Sequence, residues 1–139
     1  MSRKFWIGWL VVFVVWMAAA YLVHDVLLES QYQQVAHLFR SDPEMQGMFP
    51  YMVVAHLLMA GAFTWIYSRG VSGAPWVGQG IRFGLAVALL AVVPIYLIYY
   101  AVQPLPAGLV HRQMIYDSLV VILLGILVAA VYRSRPAPA

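Results

Sequence analysis

The sequence predicts an all-α, polytopic membrane protein whose 139 residues form one transmembrane domain, a bundle of four helices. Three observations predict it. Hydrophobic residues make up 64% of the chain and charged residues 9%, with a mean hydropathy of +0.83, where an ordinary soluble domain is roughly 45–50% apolar. The apolar residues gather into four runs, each close to the roughly 20 residues that cross a hydrocarbon core. The basic residues concentrate at alternate connections, the bias expected of a chain threaded back and forth through a bilayer.

The first span runs from about residue 5 to 27 and carries Trp6, Trp9 and Trp16. Ala18 to Ala20 resemble a signal-peptide cleavage site, but the apolar run continues past them to full spanning length, so a retained helix is expected. Residues 28–40 follow. Val26, Tyr32, Val35, His37, Leu38 and Phe39 recur at helical spacing opposite Gln31, Gln33, Gln34 and Arg40, which predicts an amphipathic continuation of the first helix lying on the outer surface. "SDPE" is a helix-start signal, with Asp42 as N-cap, Pro43 in the first turn and Glu44 beside the positive helix end. The second span, about 48–67, has Pro50 early in it, and a glycine-rich inner loop leads to the third, about 83–102. There Gly80, Gly84 and Ala88 form a small-residue stripe that admits a close neighbour. Pro94 is expected to kink this span. A short outer loop with Pro104 and Pro106 leads to the fourth span, about 112–132. "YLVHD" at 21–25 echoes "YLIYY" at 96–100, and "WIYSR" at 65–69 echoes "AVYRS" at 130–134, the trace of a tandem two-helix hairpin repeat.

Charge orients the bundle. With the N-terminus inside, Arg3, Lys4, Arg69, Arg82, Arg133 and Arg135 fall on the inner side and only Arg40 and Arg112 outside. Both termini are thus expected in the cytoplasm, of a bacterial inner membrane if the chain is bacterial. Asp25, Glu29, Asp42, Glu44 and Asp117 all lie outside or in the outer half. The net charge of +3 forms no basic stripe on a water-facing element, which argues against nucleic acid as a partner. The chain has no cysteine, excluding disulfides, thiolate metal sites and a cysteine nucleophile.

Ionisable groups at membrane depth are candidates for function. Counted at about 1.5 Å per residue, His24 lies roughly 5 Å below the outer boundary, His56 about 10 Å and Asp117 about 6–10 Å. His111 and Arg112 stand just above, and Tyr96 and Tyr99 share the level, so His24, His56, Asp117, Tyr96, Tyr99 and Arg112 outline a polar pocket in the outer half. The structural explanations are plain: His24 and Asp25 end a helix at the headgroups, and His56 is an interior histidine bonded to Asp117 or a tyrosine. Asp117 would then pair with His56 or Arg112. Three sharper readings compete. His24 and His56 as axial ligands would hold a b-type haem. His24, His56, His111 and Asp117 would bind a divalent metal, though without the local ligand spacing of strong sites. His56 and Asp117 would relay protons or ions in a small oligomeric transporter that flexes at Pro94.

No G-x-S-x-G elbow, HExxH helix, phosphate loop or dinucleotide fingerprint occurs, so an enzyme is not expected and no cofactor is required. A small chain with short water-exposed parts points instead to an accessory, structural or assembly subunit of a larger inner-membrane complex, or to a homo-oligomer. Val26 to Arg40 and the Gly80–Ala88 stripe are the faces offered to a neighbour. The phrases "HDVLL", "YMVVAHLLMAGAFTWIYSRG" and "GQGIRFGL", with the short "PLP" outer loop, resemble in layout the small four-helix bacterial integral membrane proteins that carry no assigned function. The resemblance covers the whole chain and implies a role for no residue.

Overall fold

A computed structural model of the chain describes residues 2–133. Four helices are long and apolar enough to cross a membrane: α1 (Arg3–Leu27), α3 (Asp42–Arg69), α4 (Trp76–Val102) and α5 (Ala107–Tyr132). Between α1 and α3 lie the short helix α2 (Glu29–Gln34) and one 3₁₀ turn, Ala36–Leu38. The protein is an all-α four-helix bundle. The Lys4 ammonium donates to the carbonyls of Tyr132 and Arg133 at 3.1 and 3.2 Å, tying the start of α1 to the end of α5. This is the terminal end of the bundle. Arg3, Lys4, Arg69, Arg82 and Arg133 cluster there, while Arg40 and Arg112 lie at the far end; Arg135 falls outside the described residues.

Three helices start earlier than their apolar runs suggest. α3 begins at Asp42, not near residue 48, because Ser41 caps it. The Ser41 N–H and Oγ–H both donate to Glu44 Oε2, at 3.0 and 2.7 Å. The cap is therefore Ser41, one residue before the expected Asp42. α4 begins at Trp76, not near 83, because Gln79 pins the preceding loop. Its amide donates to Ser72 O at 2.9 Å and accepts from Ser72 N–H at 3.0 Å. α5 begins at Ala107, directly after Pro106, and not at 112, as suits a residue whose φ is already helical.

In the terminal half the bundle closes by small-residue contact. Gly80 and Gly84 of α4 are buried against α5, and a Cβ added at Gly80 would lie 2.6 Å from Gly125 O and 2.7 Å from Ile126 Cα. Only hydrogens fit there. The stripe expected to receive another subunit is thus occupied within the chain by α5, because Gly125 presents a complementary groove. On the other side α1 lies along α3. Gly61 leaves room for the Trp9 indole, which donates to Leu57 O at 2.9 Å. Val12, Ala60, Phe63, Leu124, Val128 and Ala129 form the core between them. Phe83 of α4 meets Phe63 and Tyr67 of α3 with ring centroids 4.6 and 5.3 Å apart.

The far half is built differently. The last seven residues of α1, Tyr21–Leu27, wind as a π-helix, and Leu28 N–H donates back five residues to Val23 O at 3.0 Å. The backbone then bends at Leu28 (φ −105°, ψ 1°). A straight amphipathic continuation of α1 is therefore replaced by a segment folded back onto the bundle. Leu28 and Val35 are buried with Val23 and Leu109, while Val26, Leu38 and Phe39, expected on the apolar face, are exposed. Leu28, Tyr32 and Val35 make the true inner face. In α4 a π turn, Ala88–Val92, ends two residues before Pro94. It falls where the proline ring would meet the carbonyl four residues back, so the expected kink has a wide turn as its local form.

The two hairpins, α1 with α3 and α4 with α5, run the same way up, as a tandem repeat requires. Yet α1 packs along α5, and no comparable seam joins α3 to α4. The echo at 130–134 reaches Ser134, outside the described residues.

Candidate functional site

α3 and α4 touch through Phe63, Tyr67 and Phe83, and toward the far end they part. Between them opens a cleft of about 1140 Å³. Its back wall is Trp16 and His24 of α1 with Asp117, Val120 and Val121 of α5, and the exposed Tyr21 borders it. Met52, His56 and Met59 line the α3 side, and Ile95, Tyr96 and Tyr99 the α4 side. Tyr32 and Arg40 reach it from the folded-back segment. Met52 is 50% exposed and Tyr99 46%, so the cleft opens sideways between the two helices.

At the back a polar network joins four elements. Gln113 Nε2–H donates to Tyr32 Oη at 2.6 Å, and Tyr32 Oη lies 2.8 Å from His24 Nδ1. On the other edge of the imidazole, Nε2 faces Asp117 Oδ2 at 3.5 Å. That oxygen also accepts from Tyr96 O–H at 2.5 Å. Donors and acceptors match when His24 is neutral with its proton on Nε2: Tyr32 receives from Gln113, donates to Nδ1, and Nε2–H points at the carboxylate. Burial pushes the Tyr32 phenol above its ordinary range, partly opposed by the bond from Gln113. The phenol therefore stays a donor. Gln113 is 6% exposed, and its Oε1 is buried without a hydrogen-bond partner.

His24, Asp117 and Tyr96 are thus brought together as the sequence suggests, and Tyr99 lines the same cleft. His56 is not part of the network. Its Nδ1 bonds the Met52 carbonyl of its own helix at 2.8 Å, and its ring stands edge-on to Trp16, with centroids 6.2 Å apart. The expected bonds from His56 to Asp117 or a tyrosine are absent, because the carbonyl one turn back satisfies the imidazole locally. Trp16 precedes His24 by eight residues, about 12 Å along the helix. The two histidines therefore stand at different levels and do not face each other as haem ligands must. His111 and Arg112 are exposed and outside the cleft, so the expected pairing of Arg112 with Asp117 does not form. Arg40 is the cation at the rim instead. Among the described residues no three His, Cys, Asp or Glu side chains converge as metal ligands, so His24, His56, His111 and Asp117 do not assemble.

Two members of the network escaped the sequence reading, Tyr32 as its hub and Gln113 as its buried donor. Gln113 had a signal: it is the residue one turn before Asp117, on the same face of an apolar helix. Tyr32 had none, since its place depends on the fold-back at Leu28. Gly80, Gly84, Ala88 and Pro94 hold α4 in place and stay out of the cleft wall. Comparison with family models, curated proteins and solved structures finds no match to the chain.

Proposed function

We propose that the chain is an accessory membrane component that works by holding a guest in the cleft between α3 and α4, without transforming it. The observation that carries this reading is the cleft itself. At about 1140 Å³ it is unfilled by the described residues and open at the surface of the bundle, and it has hydrogen-bonding groups at its back. Binding sites for small molecules share this design, an apolar concavity with a few convergent polar groups. Their volumes run from about 300 to 1,000 Å³. The setting proposed is a bacterial inner membrane with the terminal end in the cytoplasm, supported by five basic residues at that end and two at the other. Partner subunits or further copies of the chain would meet its apolar girdle, to which Leu89 and Leu90 contribute at 70% and 79% exposure.

A photo-cross-linking residue at Met52, compared with one at Leu90, tests the cleft in native membranes. One enriched adduct at Met52 alone is expected; identical bulk-lipid labelling at both positions removes the proposal. Orientation has its own test. Gly47 and Gly73 have nothing within 4 Å of an added Cβ, and the chain has no native cysteine. An impermeant maleimide should label Gly47→Cys in intact cells and Gly73→Cys only after permeabilisation, and the opposite pattern inverts the topology.

A second reading, a proton-coupled carrier working as an oligomer, is favoured by the His24–Asp117 contact. Its relay would run through His24 in place of His56, since His56 is bonded within its own helix. Proton uptake that accompanies transport in vesicles, and that His24→Gln removes, separates it from simple holding.

A further inference from the structure

The cleft's lining also indicates its guest, granted the reading that the cleft holds one. Three carboxylates border it, Asp25, Asp42 and Asp117, against a single guanidinium, Arg40. Asp117 lies deepest, on the back wall, with its side chain 20% exposed. Both of its protein partners gather at Oδ2. Oδ1 receives no hydrogen bond among the described residues, and the two partners bring no fixed positive charge. A carboxylate at membrane depth is costly without a counter-charge. Tyr96 bonds it, Trp16, Tyr21, Phe49 and Tyr99 line the same cleft, and aromatic faces attract cations.

We infer that the cleft binds a lipophilic organic cation, a single delocalised or quaternary positive charge inside an apolar body, with Asp117 as its counter-ion and the aromatic rings as its walls. The sideways opening between α3 and α4 admits such a molecule from the bilayer, where it partitions. A phospholipid fits less well. Its phosphate would enter beside three carboxylates with only Arg40 to meet it.

The test compares two ions of nearly the same size and shape and opposite charge, tetraphenylphosphonium and tetraphenylborate, by equilibrium dialysis against the detergent-purified full-length protein. The phosphonium should bind about tenfold or more tighter than the borate, as one deep counter-charge implies. Asp117→Asn should abolish that preference while leaving the near-ultraviolet circular dichroism of the tryptophans unchanged. Ile95→Trp, which adds bulk to the α4 side of the cleft at a residue that makes no bond in the polar network, covers the case in which the Asn variant misfolds. It should weaken both ions together.

Equal binding of the two ions, or a preference that survives Asp117→Asn, overturns the inference. So does a co-purifying phospholipid that the phosphonium cannot displace. These failures differ from failure of the cleft as a binding site, which shows as loss of the specific adduct at Met52. A cleft that binds both ions equally and loses both in Ile95→Trp would still hold a guest, chosen by shape and not by charge.

Discussion

At the scale of single residues, Tyr32 carries the most consequence for its size. One phenol accepts from Gln113 and stands against His24 Nδ1, so Tyr32→Phe strips a buried amide of its acceptor and an imidazole of its donor. The expected loss is about 1–3 kcal/mol, the penalty for orphaning buried polar groups, read as a lower midpoint in denaturant unfolding from micelles. Adding Gln113→Met to Tyr32→Phe should recover part of it, because the amide's own desolvation disappears with the amide. The phenol also sets a pH limit. Burial raises its folded pKa, so the stability it adds is complete below the ordinary tyrosine value of about 10 and is lost as pH climbs through the higher folded value. Its share of stability should be flat from neutrality to about pH 10, and a loss beginning near pH 8 that Tyr32→Phe abolishes would contradict this. His24 and Asp117 were legible in the sequence because charge at membrane depth stands out against valine and leucine. His56 was equally visible but misleading: a helix carries a carbonyl one turn back from every residue, and an imidazole can be satisfied there without any partner across the bundle.

At the scale of elements, the α4–α5 seam is the part least able to change. At Gly80 an added Cβ meets backbone, 2.6 Å from Gly125 O, whereas at Gly78 on the same helix it meets nothing within 4 Å. Gly80→Ala should therefore lower stability by about 1–3 kcal/mol through overpacking. Gly78→Ala should be neutral or slightly stabilising, because alanine favours the helix. Thermal unfolding of the two variants in one detergent checks the pair, and equal effects would mean that α4 and α5 do not touch at glycine. The stripe itself could be read in advance; its partner could not. Small residues at four-residue spacing say that something comes close, and any helix with a matching groove will serve. The start of α3 was also partly legible. "SDPE" announced a helix, but the choice between Ser41 and Asp42 as cap depended on which side chain reached Glu44. Ser41→Ala should cost about 1 kcal/mol, as loss of an N-cap does.

At the scale of the molecule, the helices and their order were plain from the apolar runs, and the asymmetry of the bundle was not. Lipid-facing and buried positions are equally apolar, so no stripe in the sequence says which helices are neighbours. Only contact decides it, and contact closes the terminal half while leaving α3 and α4 apart at the far end. Spin labels report this directly, since the native chain has no cysteine to interfere. Labels at Met48 and Val102 should lie farther apart, with a broader distribution, than labels at Ser68 and Ile81. Equal, narrow distances would describe a bundle closed along its whole length, with no room for the cleft.

The π turn of α1 has a consequence for ancestry. Such a turn is an α-helix that has accepted one extra residue. Deleting a residue between Tyr21 and Leu27 would restore the ordinary winding and swing everything beyond it by about 100°. The chain would still span the bilayer, and Gly8 and Trp9 would still seat against α3, yet Tyr32 would leave its place beside His24. A one-residue gap in this stretch, read from genomes alone, would therefore sort descendants that keep the histidine–aspartate contact from those that have only inherited the anchor.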